Sequence, residues 1–120
     1  MSLQLETTEV EPDITVIRLV GSVVEGPEGY ALERFVLDLV GGGEKKLILD
    51  LSGVSRIDSG GARFVIEAFF TMRQANGGLR LAGATPKVAR LFRITQLDTL
   101  LPLYRTVAAA AERFELTRGA

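Results

Sequence analysis

Leu3-Gln4-Leu5-Glu6-Thr7 alternates apolar and polar residues, and the β-branched run Ile14-Thr15-Val16-Ile17-Arg18-Leu19-Val20 lies between Pro12-Asp13 and Gly21. Both patterns predict strands, paired as an opening hairpin. From Tyr30 the period changes. Leu32, Phe35, Val36, Leu39 and Val40 fall at i, i+3, i+4, i+7 and i+8, the stripe of an amphipathic helix that Gly41-Gly42-Gly43 then ends. Lys46-Leu47-Ile48-Leu49-Asp50-Leu51 is apolar enough for a central strand, and Ser52 to Asp58 reads as the loop leaving it.

On a helical wheel begun at Ser59, the residues Ala62, Val65, Ile66, Ala68, Phe69 and Met72 share one face and Arg63, Glu67, Thr71 and Gln74 the other. This helix is expected to stop before Asn76-Gly77-Gly78. Leu79-Arg80-Leu81-Ala82 follows as a short strand, and Thr85-Pro86 supplies an N-cap and a first-turn proline for a helix over Lys87 to Arg93, buried through Val88, Leu91 and Phe92. Leu100 to Tyr104 fits an edge strand, where Pro102 is tolerated. Thr106 fits the cap of a last helix carrying Val107, Ala110, Ala111 and Phe114, with a frayed tail after it. Two strands and then alternating helix and strand make an α/β domain with a mixed sheet, its parallel pairs joined by right-handed helical crossovers.

A chain of 120 residues, 47% hydrophobic and 24% charged, is sized for one compact domain over 1–120 and buries roughly 65% of its unfolded surface without staples. Its 14 basic and 15 acidic side chains leave a net charge of −1 with no basic run, which points away from nucleic acid and anionic lipid as partners. His, Cys and Trp are absent. Thiol nucleophiles, Ser-His-Asp triads and imidazole or thiolate metal sites are thereby excluded, so no cofactor or metal is expected. No apolar stretch nears the roughly 20 residues that span a bilayer, and Met1-Ser2-Leu3-Gln4 lacks the layout of an export signal, so no membrane insertion and a cytoplasmic location are expected.

The chemistry that remains gathers at Ile57-Asp58-Ser59-Gly60-Gly61. A strand, a loop and a helix N-terminus leave a serine hydroxyl beside unpaired backbone donors. A phosphate on Ser59 would bring about −1.5 to −2 charges to a place where the helix dipole favours anions, and Gly60 and Gly61 would let a partner's backbone or a phosphate come close. Local physics alone also allows a plainer role, in which Asp58 or Ser59 caps the helix for about 1 kcal/mol and the glycines serve the turn. No general base is in view, because Asp58 adjoins Ser59 in the chain and is normally ionised, so an enzyme is not expected.

Several blocks taken in order resemble the STAS family of anti-sigma-factor antagonist domains, and the resemblance runs from the first strands to Phe114. They are Ile17-Arg18-Leu19-Val20-Gly21, Leu47 to Val54, Ile57-Asp58-Ser59, Asn76 to Leu81 and Val88-Ala89-Arg90-Leu91-Phe92-Arg93-Ile94. The resemblance implies a STAS fold, with a mixed sheet of four to five strands and about four helices packed mainly on one face. It also implies a regulatory role. Ser59 matches the serine that accepts phosphate from an anti-sigma factor that is itself an ATP-binding serine kinase, and Asp58 matches the family's aspartate. Unphosphorylated, such a protein binds the kinase and frees the sigma factor. Phosphorylation switches it off, and a PP2C-type phosphatase reverses the step. Asp58, Gly60, Gly61, Arg63, Glu25 and Arg56 are the expected partner-binding residues, on a monomer or weak dimer.

The chain departs from the family pattern at three places. Gly60 stands where a second Ser or Thr is usual, and Arg63 where a glycine is. Val24 replaces an aspartate that touches the partner, with Glu25 one step later, and Gln96 replaces the glycine before Leu97-Asp98. Gly60, Arg63 and Val24 motivate an alternative, a constitutive scaffold subunit of a stressosome-like or transporter ATPase complex in which Ser59 is only a cap.

Other features carry less. Gly41-Gly42-Gly43-Glu44-Lys45-Lys46 follows a helix, whereas a phosphate-cradling loop follows a strand. Asp50 lacks the acidic pair that would make it a receiver-type phosphoacceptor, and it reads as a strand-end carboxylate. Phe64 and Phe70 sit on the flanks of the helix's polar face, open to docking or to cover by another helix. Arg56 and Arg63 bracket Ser59 and could pair with a phosphoserine or an acidic partner.

Overall fold

The computed structural model describes residues 3–10 and 13–116. The chain runs β1 (Leu3–Val10), β2 (Ile14–Val23), α1 (Pro27–Gly41), β3 (Lys46–Ile57), α2 (Ser59–Gln74), β4 (Gly78–Ala82), α3 (Pro86–Ile94), a 3₁₀ turn over Leu97–Thr99, β5 (Leu103–Tyr104) and α4 (Val107–Ala111). Met1-Ser2, Pro12 and the tail beyond Leu116 lie outside the described residues, so the expectations placed on them stand apart.

The strands form one sheet in the order β1-β2-β3-β4-β5. β1 and β2 pair antiparallel from Leu3 with Gly21 to Val10 with Ile14, as the hairpin reading expects. The other three pairs are parallel. Each is bridged by one helix, and the right-handed rule for such crossovers puts α1, α2 and α3 on the same face. The period of two along the strands sorts the side chains accordingly. Ile17, Leu19, Leu47, Leu49, Leu51, Leu79 and Leu81 join Leu32, Val36, Val65, Met72, Val88 and Phe92 in the main core. Ile14, Val16, Ile48 and Ala82 form a smaller core on the other face with Ala110 and Phe114. Three helices on one face and a single short one on the other make the mixed α/β architecture expected of the sequence.

Five boundaries differ from expectation. β3 does not end at Leu51, and Ser52–Ile57 is strand rather than loop. β2 likewise continues past Gly21, and the two stay paired through register shifts as Val20 with Gly53, Gly21 with Val54, Ser22 with Arg56 and Val23 with Ile57. Gly21, which read as the end of β2, and Gly53, which read as loop, instead sit beside the two register shifts. Gly21 takes φ +115°, and a Cβ on Gly53 would lie 2.8 Å from the Leu19 carbonyl oxygen. α1 begins at Pro27, three residues before Tyr30, because proline suits the first helical turn. β5 is confined to Leu103 and Tyr104. Phe114 follows α4 rather than belonging to it, since the helix stops at Ala111 and Arg113 turns the chain at φ +52°.

The remaining caps are as read. The Thr85 hydroxyl accepts the Val88 N–H at 3.4 Å and the Thr106 hydroxyl that of Ala109 at 3.0 Å. Gln96, where the family pattern has glycine, takes the left-handed conformation at φ +61°. The loop therefore keeps a glycine-like backbone without the glycine. Asp50 accepts the Ser52 N–H at 3.0 Å and lies 4.0 Å from Arg18, a strand carboxylate in structural use.

Candidate functional site

The long β2 and β3 strands end side by side at Val23 and Ile57, and this shared end sets the geometry of everything that follows. The Asp58 N–H donates to the Val23 carbonyl at 3.4 Å, and α2 begins at the next residue. Asp58, in extended conformation at φ −118°, is the N-cap of α2, and its Oδ1 accepts the Gly61 N–H at 2.8 Å. The same oxygen accepts the Glu25 N–H at 3.2 Å. One carboxylate thus satisfies an orphan donor of the helix, places negative charge at the positive end of its dipole and ties the β2–α1 loop to the start of α2.

The capping question left open by local physics is resolved in favour of Asp58. Ser59 is the first residue of α2, not its cap, and its side chain is exposed. Gly61 is buried directly beneath it, where a Cβ would come within 1.7 Å of the Val23 carbonyl oxygen. The helix could not approach the end of β2 so closely with any other residue there. Gly60 faces the β2–α1 loop in the same way. A Cβ on it would lie 2.6 Å from the Cβ of Glu25 and 3.1 Å from its Oε1.

Of the expected site residues, Asp58, Ser59, Gly60, Gly61 and Glu25 are therefore brought together at one helix end. Arg56 is exposed at the end of β3, one strand-pair from Ser22 of β2. Arg63 is exposed one turn into α2, its guanidinium 5.7 Å from the centre of the Phe64 ring.

Phe64 and Phe70, expected on the flanks of the helix's polar face and open to docking or to cover, meet different fates. Phe64 is 1% exposed, covered by α1, whereas Phe70 is 48% exposed with its edge against Phe69. The cause is Gly29 of α1, where a Cβ would fall 2.0 Å from the Phe64 ring. Tyr30, 57% exposed, closes over the same ring edge-on at 5.2 Å between centroids. Gly29 and Tyr30 are the residues beside the site that reading the sequence missed. A glycine inside the first turn of a helix was the available signal, since it costs helix stability unless something must come close.

The glycine run at 41–43 lies at the far end of α1. Gly42 donates its N–H to the Asp38 and Leu39 carbonyls and Gly43 to that of Val40, so these amides close a helix rather than cradle an anion. Among the described residues no cluster of three or more His, Cys, Asp or Glu side chains could hold a metal ion, and no helix is long and apolar enough to cross a membrane.

The long β2 and β3 strands thus end beside a capped helix that carries an exposed serine on its first turn. The STAS domain family model matches residues 7–110, and the chain belongs to that family. It is 30% identical over 103 residues to BtrV of Bordetella bronchiseptica, a relative named as an anti-sigma factor antagonist, covering 86% of this chain and 89% of that protein. Among solved structures, it superposes on the anti-sigma factor antagonist of Thermotoga maritima with a TM-score of 0.83 at 22% identity, over 92% of this chain and 93% of the other. It superposes on the Bacillus cell fate determinant SpoIIAA, solved in its phosphorylated form, with a TM-score of 0.66 at 22% identity, over 95% and 100% of the two chains.

Proposed function

We propose that this chain is an anti-sigma factor antagonist that binds an ATP-binding anti-sigma kinase while Ser59 is unmodified and is switched off when that kinase phosphorylates Ser59. It acts in the cytoplasm as a binding module without catalysis of its own, and a PP2C-type phosphatase restores it. The observation that carries the reading is the division of labour between neighbours. Asp58 takes the capping role, which leaves the Ser59 hydroxyl exposed on the first turn of α2. The alternative, a constitutive scaffold, rests on the departures Gly60, Arg63 and Val24 and needs no cap from Ser59; the role it gave that serine falls to Asp58 instead. Membership of the STAS family, a relative named as an anti-sigma factor antagonist and a fold shared with phosphorylated SpoIIAA support it from the outside.

The energetics are modest. Phosphate brings about −1.5 to −2 charges into the contact surface, and a hundredfold loss of affinity needs only about 2.7 kcal/mol of repulsion and desolvation. Asp58, Gly60, Glu25, Arg56 and Arg63 are the residues of the docking surface in this reading, whereas Gly61, expected among them, is buried against the Val23 carbonyl and supports the surface from beneath.

The test incubates the protein with ATP and each ATP-binding anti-sigma kinase of the same genome and maps the phosphopeptides. One kinase is expected to label Ser59 and to leave Ser59→Ala unlabelled, and labelling is expected to weaken binding about a hundredfold. Phosphate at another residue, or at none with any kinase, would overturn the reading. Equal capture of a large assembly by wild type and Ser59→Glu would favour the scaffold instead.

A further inference from the structure

Two of the places where the chain leaves the family pattern, Gly60 and Val24-Glu25, touch each other in the fold. The Cβ that any residue but glycine would place at position 60 falls 2.6 Å from Glu25 Cβ, 3.2 Å from its Cα and 3.1 Å from its Oε1. Because two of those atoms belong to the root of the side chain, rotation of Glu25 could not relieve the clash, and the backbone of the loop would have to move. Gly60 is thus what allows the β2–α1 loop to lie against α2. The Glu25 N–H is held from the same side by Asp58 Oδ1 at 3.2 Å. Its carboxylate accordingly lies no more than about 8 Å from the Ser59 Cα, inside the screening length of about 10 Å at 0.1 M salt.

We propose that Glu25 is the positioning residue through which the phosphorylation state of Ser59 sets the conformation of the β2–α1 loop. The inference rests on the reading that Ser59 accepts phosphate. In the unmodified protein the partial positive charge of the α2 N-terminus draws the Glu25 carboxylate over Gly60. A phosphoserine dianion competes for that charge. The other charged groups at this end of the molecule are Asp58, Arg56 at the end of β3, Arg63 on α2 and Glu28 on α1. Asp58 is pinned by its bond to the Gly61 N–H, whereas Glu25 is exposed and precedes Gly26, whose φ of +140° only glycine adopts readily. Repulsion is relieved by the loop Val24–Gly26 swinging away about Gly26, which gives up the 3.2 Å hydrogen bond from the Glu25 N–H to Asp58 Oδ1. The kinase then meets a displaced loop as well as a new charge.

The experiment needs no partner. Phosphoserine is incorporated at position 59 of the full chain by codon suppression, and amide ¹H–¹⁵N spectra are compared with those of the unmodified protein, each in wild type and Glu25→Gln. In wild type, phosphorylation is expected to shift the Val24, Glu25 and Gly26 amides. In Glu25→Gln those shifts fall by half or more, while the Gly60 and Gly61 shifts persist. The second ionisation of the phosphate, followed by ³¹P shift, is expected about 0.2 to 0.4 pH units lower in Glu25→Gln, since a neighbouring anion disfavours the dianion. As an independent variant, Gly60→Ala in the unmodified protein moves the same loop amides by steric contact alone. Loop shifts that are absent in wild type, or equal in Glu25→Gln, would overturn the proposal, as would an unchanged ³¹P midpoint or a silent Gly60→Ala. A loop that responds as expected in a protein whose kinase affinity ignores phosphoserine would overturn the proposed function and leave this coupling standing.

Discussion

At the scale of single residues, the site is made by three neighbours with different jobs, and two substitutions separate them. Helical Gly→Ala changes ordinarily stabilise by up to about 1 kcal/mol, but at Gly61 the new methyl would meet the Val23 carbonyl oxygen at 1.7 Å. Gly61→Ala is expected to destabilise by about 3 kcal/mol, because backbone rather than a flexible side chain stands in the way. Ser59→Ala is expected to change stability by less than about 0.5 kcal/mol, since the hydroxyl is exposed and the cap belongs to Asp58. Urea denaturation of the two variants checks both. A large loss in Ser59→Ala would mean that the serine has a structural role and that its binding phenotype is not clean. The presence of a capped helix start was legible from Asp58-Ser59-Gly60-Gly61, but which residue caps was not. Both side chains suit an N-cap, and the choice turns on a one-residue boundary that propensity does not define. The contact between Glu25 and Gly60 was still less accessible, because it joins positions 35 apart in the chain through the packing of the β2–α1 loop against the start of α2.

Among the elements, hydrophobic period revealed α2 nearly to the residue and failed where a neighbour overrode it. Phe64 lies at the edge of the apolar stripe, so a wheel alone leaves it half exposed, and burial comes from α1 through the absence of a side chain at Gly29. Likewise, Gly21 reads as a strand end, yet here Gly21 and Gly53 lie beside the register shifts through which β2 and β3 continue together to the site. Without that continuation, Val23 and Ile57 would not bring the β2–α1 loop beside α2. The join between α1 and α2 predicts a specific coupling. Gly29→Ala is expected to destabilise by about 2 kcal/mol, because the methyl overlaps the Phe64 ring. In a Phe64→Leu background the same change is expected to cost at least 1 kcal/mol less, since the smaller side chain vacates the space. A thermodynamic cycle from four denaturation curves measures the difference, and strict additivity would show that the two helices do not meet through this pair.

Across the whole molecule, the two faces of the sheet serve different ends. The face carrying α1, α2 and α3 leads to the site, whereas the opposite face is closed by a short helix and the strand-like segment after it. That closure depends on Arg80, which donates to the Ala110, Glu112 and Arg113 carbonyls at 3.0, 3.0 and 3.1 Å and lies 4.4 Å from the centre of the Phe114 ring. The sequence disclosed a capped helix at Thr106, but not that Phe114 leaves it to cover Ile14, Val16, Ile48 and Ala82, since a left-handed arginine at position 113 has no signature in hydropathy. Phe114 packs beside Gly78 at the start of β4, which pairs with Lys46 at the start of β3, while Ser59 follows the end of β3. Strand β3 therefore separates the two places by its full length, well beyond the roughly 10 Å within which substitutions couple. Phe114→Ala is accordingly expected to lower unfolding stability by about 3 kcal/mol. At a temperature where the variant remains folded, its affinity for the anti-sigma kinase that the proposed function assigns to it, measured by titration calorimetry, is expected to stay within about twofold of wild type. An affinity loss of tenfold or more in folded Phe114→Ala protein would mean that the back face reports to the site, and that the sheet transmits strain from one end to the other instead of isolating the switch from its support.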